Sequence, residues 1–183
     1  MRLFIAIDLG AESKRKIACI ENEIKSKCID IKLVEPNNVH ITLKFLGEVG
    51  EDSLGGIEDK IAHETGNMKQ FRLSAEGFGY FGTPNHVKTL WVDVKEGKDE
   101  LISLIEAFNR NLNHIRRENR KPNPHITIGR VRPGKSREAL LNEIMRLKDV
   151  KIGEFIVKEI KLKKSTLTSS GPVYEDVKAF PLK

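Results

Sequence analysis

The chain has 183 residues, of which 39% are hydrophobic and 32% charged, and a formal net charge of +6. That length and apolar content suit one compact domain, or two small lobes sharing an interface, and exclude wholesale disorder. The moderate positive charge favours polyanionic partners such as RNA or nucleotides, while no apolar run approaches a membrane span and no basic-then-apolar leader opens the chain.

Taken in order, the segments alternate strand and helix. Residues 2–9, RLFIAIDL, are apolar and β-branched and read as a strand. Residues 11–28 carry Ile17, Ile20 and Ile24 at helical spacing. Pro36-Asn37-Asn38 breaks the chain before a second strand at 39–46, VHITLKFL, and 52–64 looks helical. FRLSAEGFGYF (71–81) and TLWVDVK (89–95) read as strands joined by a turn at Gly82-Thr83-Pro84-Asn85. Residues 98–114 form a strong helical pattern through Leu101, Ile102, Ile105, Phe108 and Leu112. Pro122 and Pro124 precede a strand at 125–131, HITIGRV, followed by a helix at 136–147. The tail reads as two strands, 154–168 and 172–180, around Ser169-Ser170-Gly171-Pro172.

Cys19 and Cys28 are the only cysteines. Both fall in the first predicted helix, ~13 Å apart, too far for a disulfide. Reduced thiols in a cytoplasmic protein are the simplest account. The abundance of Lys, Glu and Ile beside a single glutamine, Gln70, leans towards a thermophile.

The most informative feature is a repeat. His40-Ile-Thr recurs as His125-Ile-Thr, an offset of 125 − 40 = 85. The neighbouring elements recur in step: the strand at Phe4–Asp8 with Leu90–Val94, helix 11–28 with 98–114, helix 52–64 with 136–147, and the strand opening at Phe71 with that at Phe155. A repeated unit of about 85 residues predicts an α+β fold. It is a single bilobal domain over 1–183 with two pseudo-symmetric lobes and the HIT strands facing one another across a central groove.

Alternate side chains of a strand share a face. His40, Thr42 and Lys44 are therefore expected on one face and Ile41, Leu43 and Phe45 on the other; His125 and Thr127 likewise oppose Ile126 and Ile128. Two imidazoles and two hydroxyls around one cavity suit phosphodiester chemistry. Histidine serves as base or acid near neutral pH. A Thr hydroxyl can donate to the non-bridging oxygens, where charge develops. Lys44 and Arg130 would add positive charge, although simple alternation puts Arg130 on the far face unless the strand ends, twists or bulges near Gly129. A lone His-x-Thr carries little weight; duplication at matching places in a repeat gives it meaning.

The segments VEPNNVHITLKFLGEV and RKPNPHITIGRV resemble the two signatures of the two-histidine phosphoesterase superfamily. RLFIAIDL, GFGYF…LWVDV and LTSSGPVYEDVKAFPL extend the likeness to RNA 2′,3′-cyclic phosphodiesterases, also called 2′-5′ RNA ligases, over essentially the whole chain. Gly129 stands where that family often has Ala. The resemblance implies two lobes, each an antiparallel sheet backed by helices. It implies His40 and His125 as the catalytic pair, with Thr42 and Thr127 on phosphate and Arg130 near the substrate. It also tips the roles towards His125 as base and His40 as acid. The expected partner is an RNA ending in a 2′,3′-cyclic phosphate, tRNA halves included, handled by a monomer without cofactor or metal.

The remaining histidines are read as structural: His63 and His114 near helix C-termini, where a partial positive charge is favourable, and His86 in a turn. No cluster has zinc-ligand spacing. Phe78, Tyr80, Phe81 and Trp91 suit either base stacking or the core of a hairpin. Lys161, Lys163 and Lys164 suit a solvated strand face or an RNA rim. The rival readings are a ligase that joins RNA ends by the reverse reaction, an RNA-binding module with little turnover, and an enzyme for a cyclic mononucleotide or ADP-ribose cyclic phosphate.

Overall fold

The computed structural model describes residues 1–27, 29–132, 137–169 and 171–183, Arg137 in its backbone alone. Cys28, Ser136 and Ser170 lie outside the described residues; Cys19 is a free, exposed thiol.

The elements run β1 (Arg2–Asp8), α1 (Ala11–Ser26), β2 (Ile31–Leu33), a 3₁₀ turn at Pro36–Asn38, β3 (His40–Glu48), α2 (Leu54–Gly66), β4 (Phe71–Thr83), β5 (His86–Val94), α3 (Lys98–Asn111), β6 (His125–Val131), α4 (Arg137–Arg146), β7 (Lys151–Val157), β8 (Glu159–Leu167) and β9 (Pro172–Pro181). The predicted tail strand at 154–168 is two strands, parted at Lys158, and the short β2 was not expected. The expected α+β class, with antiparallel strands flanked by helices, holds.

The strands form one antiparallel sheet in the order β7-β4-β5-β6-β3-β1-β8-β9, with β2 added on β6. Its centre is the β6–β3 seam, which pairs Ile41 with Ile126. Their numbers differ by 85, the offset of the repeat. Either side of the seam the halves mirror one another: β1 flanks β3 as β5 flanks β6, β8 flanks β1 as β4 flanks β5, and β9 and β7 are the edges. Strands have changed halves: the short β2 lies on β6, and β9 follows β8 to the β1 side. β4 follows the first HIT strand in the chain but pairs with β5 and β7, whereas β8 pairs with β1. The counterpart of β4 is therefore β8, not the strand at Phe155 that sequence alignment offers. Phe155 belongs to β7, which adds to the edge of β4 by pairing Leu73 with Phe155.

One face of the sheet is apolar and covered. α2 and α3 pack on each other and over β3, β8 and β9; α1 lies on β7 and α4 on β4. Ile5, Ile7, Ile41, Leu90, Val92, Ile126 and Ile128 are buried there with Ile17, Ile24, Ile57, Ile61, Leu101, Phe108 and Leu140. Burying such side chains, each worth roughly 1.5–3 kcal/mol, fixes which face the remaining residues must show to solvent. Among the described residues no helix is long and apolar enough to cross a membrane.

Candidate active site

The seam brings the two HIT motifs together. Antiparallel register through Ile41 and Ile126 sets His40 across from Thr127 and Thr42 across from His125, all on the uncovered face. Directly opposed Cβ atoms lie roughly 5 Å apart, and diagonal ones, as for His40 and His125, roughly 7–8 Å. Two imidazoles and two hydroxyls thus surround one small patch of sheet.

Each imidazole is fixed the same way. The Nδ1–H of His40 donates to the Asn38 carbonyl at 2.6 Å, and that of His125 to the Asn123 carbonyl at 2.7 Å. A carbonyl only accepts, so Nδ1 carries the hydrogen, and in the neutral ring Nε2 is the basic nitrogen turned to the open face. The Thr42 hydroxyl lies 2.9 Å from His40 Nε2 and donates to it in that state. The Asn-x-His and Pro-rich approaches explain the geometry: Pro36 starts a 3₁₀ turn whose end presents the Asn38 carbonyl, and Pro124 imposes an extended Asn123.

Burial holds the His40 imidazole below its ordinary range, opposed by the bond to Asn38; Lys163 lowers it further and Asp8 raises it. Burial does the same to His125, opposed by the bond to Asn123 and by Asp93. Asp8 pairs with His40 across β1–β3, and Asp93 with His125 across β5–β6, again an offset of 85. Each carboxylate is matched by two lysines: Lys161 and Lys163 on Asp8, Lys95 and Lys98 on Asp93.

Aromatic rings wall both histidines. Phe4 stands 5.0 Å and Tyr174 5.4 Å from the His40 ring, centroid to centroid. Phe81 stands 4.8 Å and Trp91 6.3 Å from that of His125. The Trp91 indole N–H is buried and has no hydrogen-bond partner in the described structure. Phe78 is buried in the core instead. Sequence reasoning passed over Phe4, Tyr174, Asp8 and Asp93. For Asp8 and Asp93 the 85-residue offset was the available signal; for Tyr174 there was none, because its reach depends on how β9 curls over the sheet.

The two charged candidates exchange places. Along β3 the partners of Ile5 and Ala6 are Lys44 and Thr42, so Leu43 is an extra residue, a β-bulge. Beyond it the alternation inverts. Lys44 turns to the covered face, where its ammonium donates to Asn109 Oδ1 at 2.8 Å and the Arg116 carbonyl at 3.0 Å, only 4% exposed. The expectation that Lys44 shares a face with His40 and Thr42 is thereby corrected, and Phe45 points forward in its stead. On β6 the extra residue is Ile128, since Leu90 and Trp91 pair with Gly129 and Thr127. Residues 43 and 128 also differ by 85. This second bulge brings Arg130 onto the same face as His125 and Thr127. A Cβ on Gly129 would stand 2.8 Å from the Ile31 side chain and 3.0 Å from the Lys32 carbonyl, so the bulge needs glycine while β2 lies there. Arg130 is exposed, and its charge acts on Tyr174, whose hydroxyl is pushed up by burial and drawn back by Arg130 and Arg2.

Lys161 and Lys163 are less free than a solvated face implies: Lys163 is buried, and both bridge Asp8 to Asp176. His63, His86 and His114 are exposed and stand outside the cluster. Among the described residues no group of three His, Cys, Asp or Glu is placed to hold a metal ion.

Comparison with known proteins gives one answer. A family model described as the 2′-5′ RNA ligase superfamily matches residues 23–166. The chain is 34% identical over 183 residues to an RNA 2′,3′-cyclic phosphodiesterase of Methanothermobacter thermautotrophicus, covering 100% of this chain and 99% of that one. It is 37% identical over 179 residues to a protein of the same name from Methanocaldococcus jannaschii, covering 97% and 99%. The fold superposes on the crystal structure of TT0787 of Thermus thermophilus with a TM-score of 0.83 and 25% identity, over 100% of this chain and 98% of that one.

Proposed function

The chain belongs to the 2′-5′ RNA ligase superfamily, and from that premise we propose that it hydrolyses RNA 2′,3′-cyclic phosphate ends to 2′-phosphates, with His40 and His125 as a metal-independent acid–base pair. One observation carries the reading. The β3–β6 register puts both His-x-Thr motifs on one open face, with each Nδ1 tied back to a backbone carbonyl and each Nε2 turned to that face, where the Thr42 hydroxyl meets that of His40. A phosphate at the seam lies within reach of both Nε2 atoms and both hydroxyls.

In the hydrolytic direction His125 Nε2 takes a proton from water as the water oxygen bonds to phosphorus. The P–O3′ bond breaks, and His40 Nε2–H delivers its proton to O3′, leaving a 2′-phosphate and a free 3′-hydroxyl. Thr42, Thr127 and the forward-turned Arg130 stabilise the charge on the equatorial oxygens. The walls of Phe4, Tyr174, Phe81 and Trp91 keep bulk water from the imidazoles and offer flat surfaces to base and ribose. Replacing water by a 5′-hydroxyl, with His125 again the base and His40 again the acid to O3′, gives a 2′-5′ linkage without a nucleotide cofactor, because the cyclic phosphate stores the energy. Water outnumbers RNA ends, so hydrolysis dominates in dilute solution. The same reading takes 1–183 as a single bilobal domain, a cytoplasmic monomer built on the 85-residue repeat. The matched offsets of the seam, the bulges and the two aspartates support the repeat. RNA ends such as those of tRNA halves are the expected partners.

The test is cleavage of an oligonucleotide ending in a labelled 2′,3′-cyclic phosphate, with EDTA present, by the wild type, His40→Ala and His125→Ala. The wild type is expected to release the 2′-phosphate, and each variant to lose on the order of 10²–10⁴-fold. Inhibition by EDTA, or a full rate in either variant, overturns the mechanism and favours a binding module.

A further inference from the structure

The bulge at Leu43 gives Phe45 the forward position on β3 that Arg130 holds on β6. Phe45 is half-buried, and two guanidiniums lie on its ring: Arg2 Cζ at 4.9 Å and Arg116 Cζ at 5.1 Å from the centroid. Among the described residues neither arginine forms an ion pair. Of the acidic groups nearby, Glu48 lies opposite Arg2 across β1–β3 but its carboxylate stands 3.8 Å from the N-terminal amine, and Glu118 Oε1 accepts from the backbone N–H groups of Asn119 and Arg120. The backbones that carry the cations are also anchored. Arg2 opens β1, and the Arg116 carbonyl is gripped by the buried Lys44, itself anchored on Asn109. Gly47, at φ +80, lets the chain turn under Arg116; a Cβ there would meet Arg116 Nη1 at 3.4 Å.

Two positioned, unpaired cations on one aromatic ring make a site for an anion, and a guanidinium matches the geometry of phosphate oxygens. Phe45 follows Thr42 on the open face by two strand steps, about 7 Å. Its β1 neighbour Phe4 also touches the His40 ring. An anion at Arg2 and Arg116 therefore sits beside the phosphate at the seam. An RNA closed at its 3′ end as a cyclic phosphate has one neighbouring backbone phosphate, on the 5′ oxygen of the same nucleotide.

We infer that Arg2 and Arg116, stacked on Phe45, form a second anion subsite that takes the 5′-phosphate of the terminal nucleotide. This rests on the reading of His40 and His125 as the cyclic-phosphate site. The subsite makes the enzyme favour a chain end over a free nucleoside cyclic phosphate. It also gives Phe45, at the place where β6 carries an arginine, the task of a stacking platform.

Three substrates test it: a nucleoside 2′,3′-cyclic phosphate, the same compound with a 5′-phosphate, and a dinucleotide with a cyclic end. The wild type is expected to favour the second and third at least about tenfold in kcat/KM. Arg2→Ala and Arg116→Ala should each erase most of that preference and flatten the slope of log kcat/KM against log salt on the dinucleotide by about 0.7. Arg116→Gln keeps the planar end and removes the charge, and it should behave as the alanine variant does. Equal efficiency on all three substrates, or a preference that survives in Arg116→Gln, overturns the subsite alone. A wild type that opens none of the three overturns the reading of the seam and the subsite with it.

Discussion

Lys44→Met separates two tasks for a lysine that sits in the first His-x-Thr motif. Methionine fills a similar slender volume, so the change removes charge and donors with little cavity. Two acceptors lose their partner, Asn109 Oδ1 and the Arg116 carbonyl. A hydrogen bond to a charged group is worth roughly 1.5–3 kcal/mol, and an acceptor left unmet in the interior costs ~1–3 kcal/mol. Asn109 is half-buried and can turn to water, and the variant no longer keeps an ammonium out of solvent. The net loss is then about 2 kcal/mol, which for a chain of this size lowers Tm by roughly 4–8 °C. Because Lys44 points to the helical side, kcat/KM on a nucleoside 2′,3′-cyclic phosphate should change by less than about threefold, far below the 10²-fold expected of a proton-transfer group. Thermal unfolding beside steady-state kinetics on that substrate decides the matter. An unchanged Tm with KM raised tenfold refutes the placement and returns Lys44 to the phosphate.

Three further outcomes are expected. Both imidazoles are held below their ordinary range by burial, so the enzyme with one neutral and one protonated ring is most abundant on the acid side: kcat/KM should peak below about pH 6.5 and fall steadily through 7–8, and a maximum above 7.5 rejects this. The linked stability has a definite sign: neutral histidines stabilise the fold above the unfolded value, and denaturant titration should show that contribution lost as pH falls below about 6.5. Gly129→Ala forces a methyl into Ile31 and the Lys32 carbonyl, so it should cost about 1–3 kcal/mol of overpacking and lower kcat through a displaced Arg130; full activity and unchanged Tm mean that the bulge does not depend on glycine.

How far the residues announced this site depends on the range of the physics involved. Local pattern was enough for the strands and helices, since apolar spacing reflects which side faces the core. The 85-residue offset was enough to pair His40 with His125. Lys44 escaped because a bulge inverts alternation, and nothing local distinguishes Leu43 from an ordinary strand residue; Arg130 was placed at the site only on condition of a bulge near Gly129. Gly129 was the one visible hint. The exchange of β4 and β8 escaped for another reason: the two candidate partners of each strand are equally apolar, and only the closed sheet selects between them. Tyr174 followed suit, its position near His40 resulting from the path of β9.

That exchange bears on how the protein comes into being. β1 and β3 are among the first strands to be synthesised, and both carry residues of the His40 side, yet β1 must await β8 for its second neighbour, and the Tyr174 wall arrives only with β9. Meanwhile β4 leaves the ribosome with neither of its partners made, since β5 and β7 both follow it. An incomplete translation product therefore has unpaired strand edges and half a reaction centre. Unpaired edges of this kind are what make a partly made sheet prone to association until its last strands arrive.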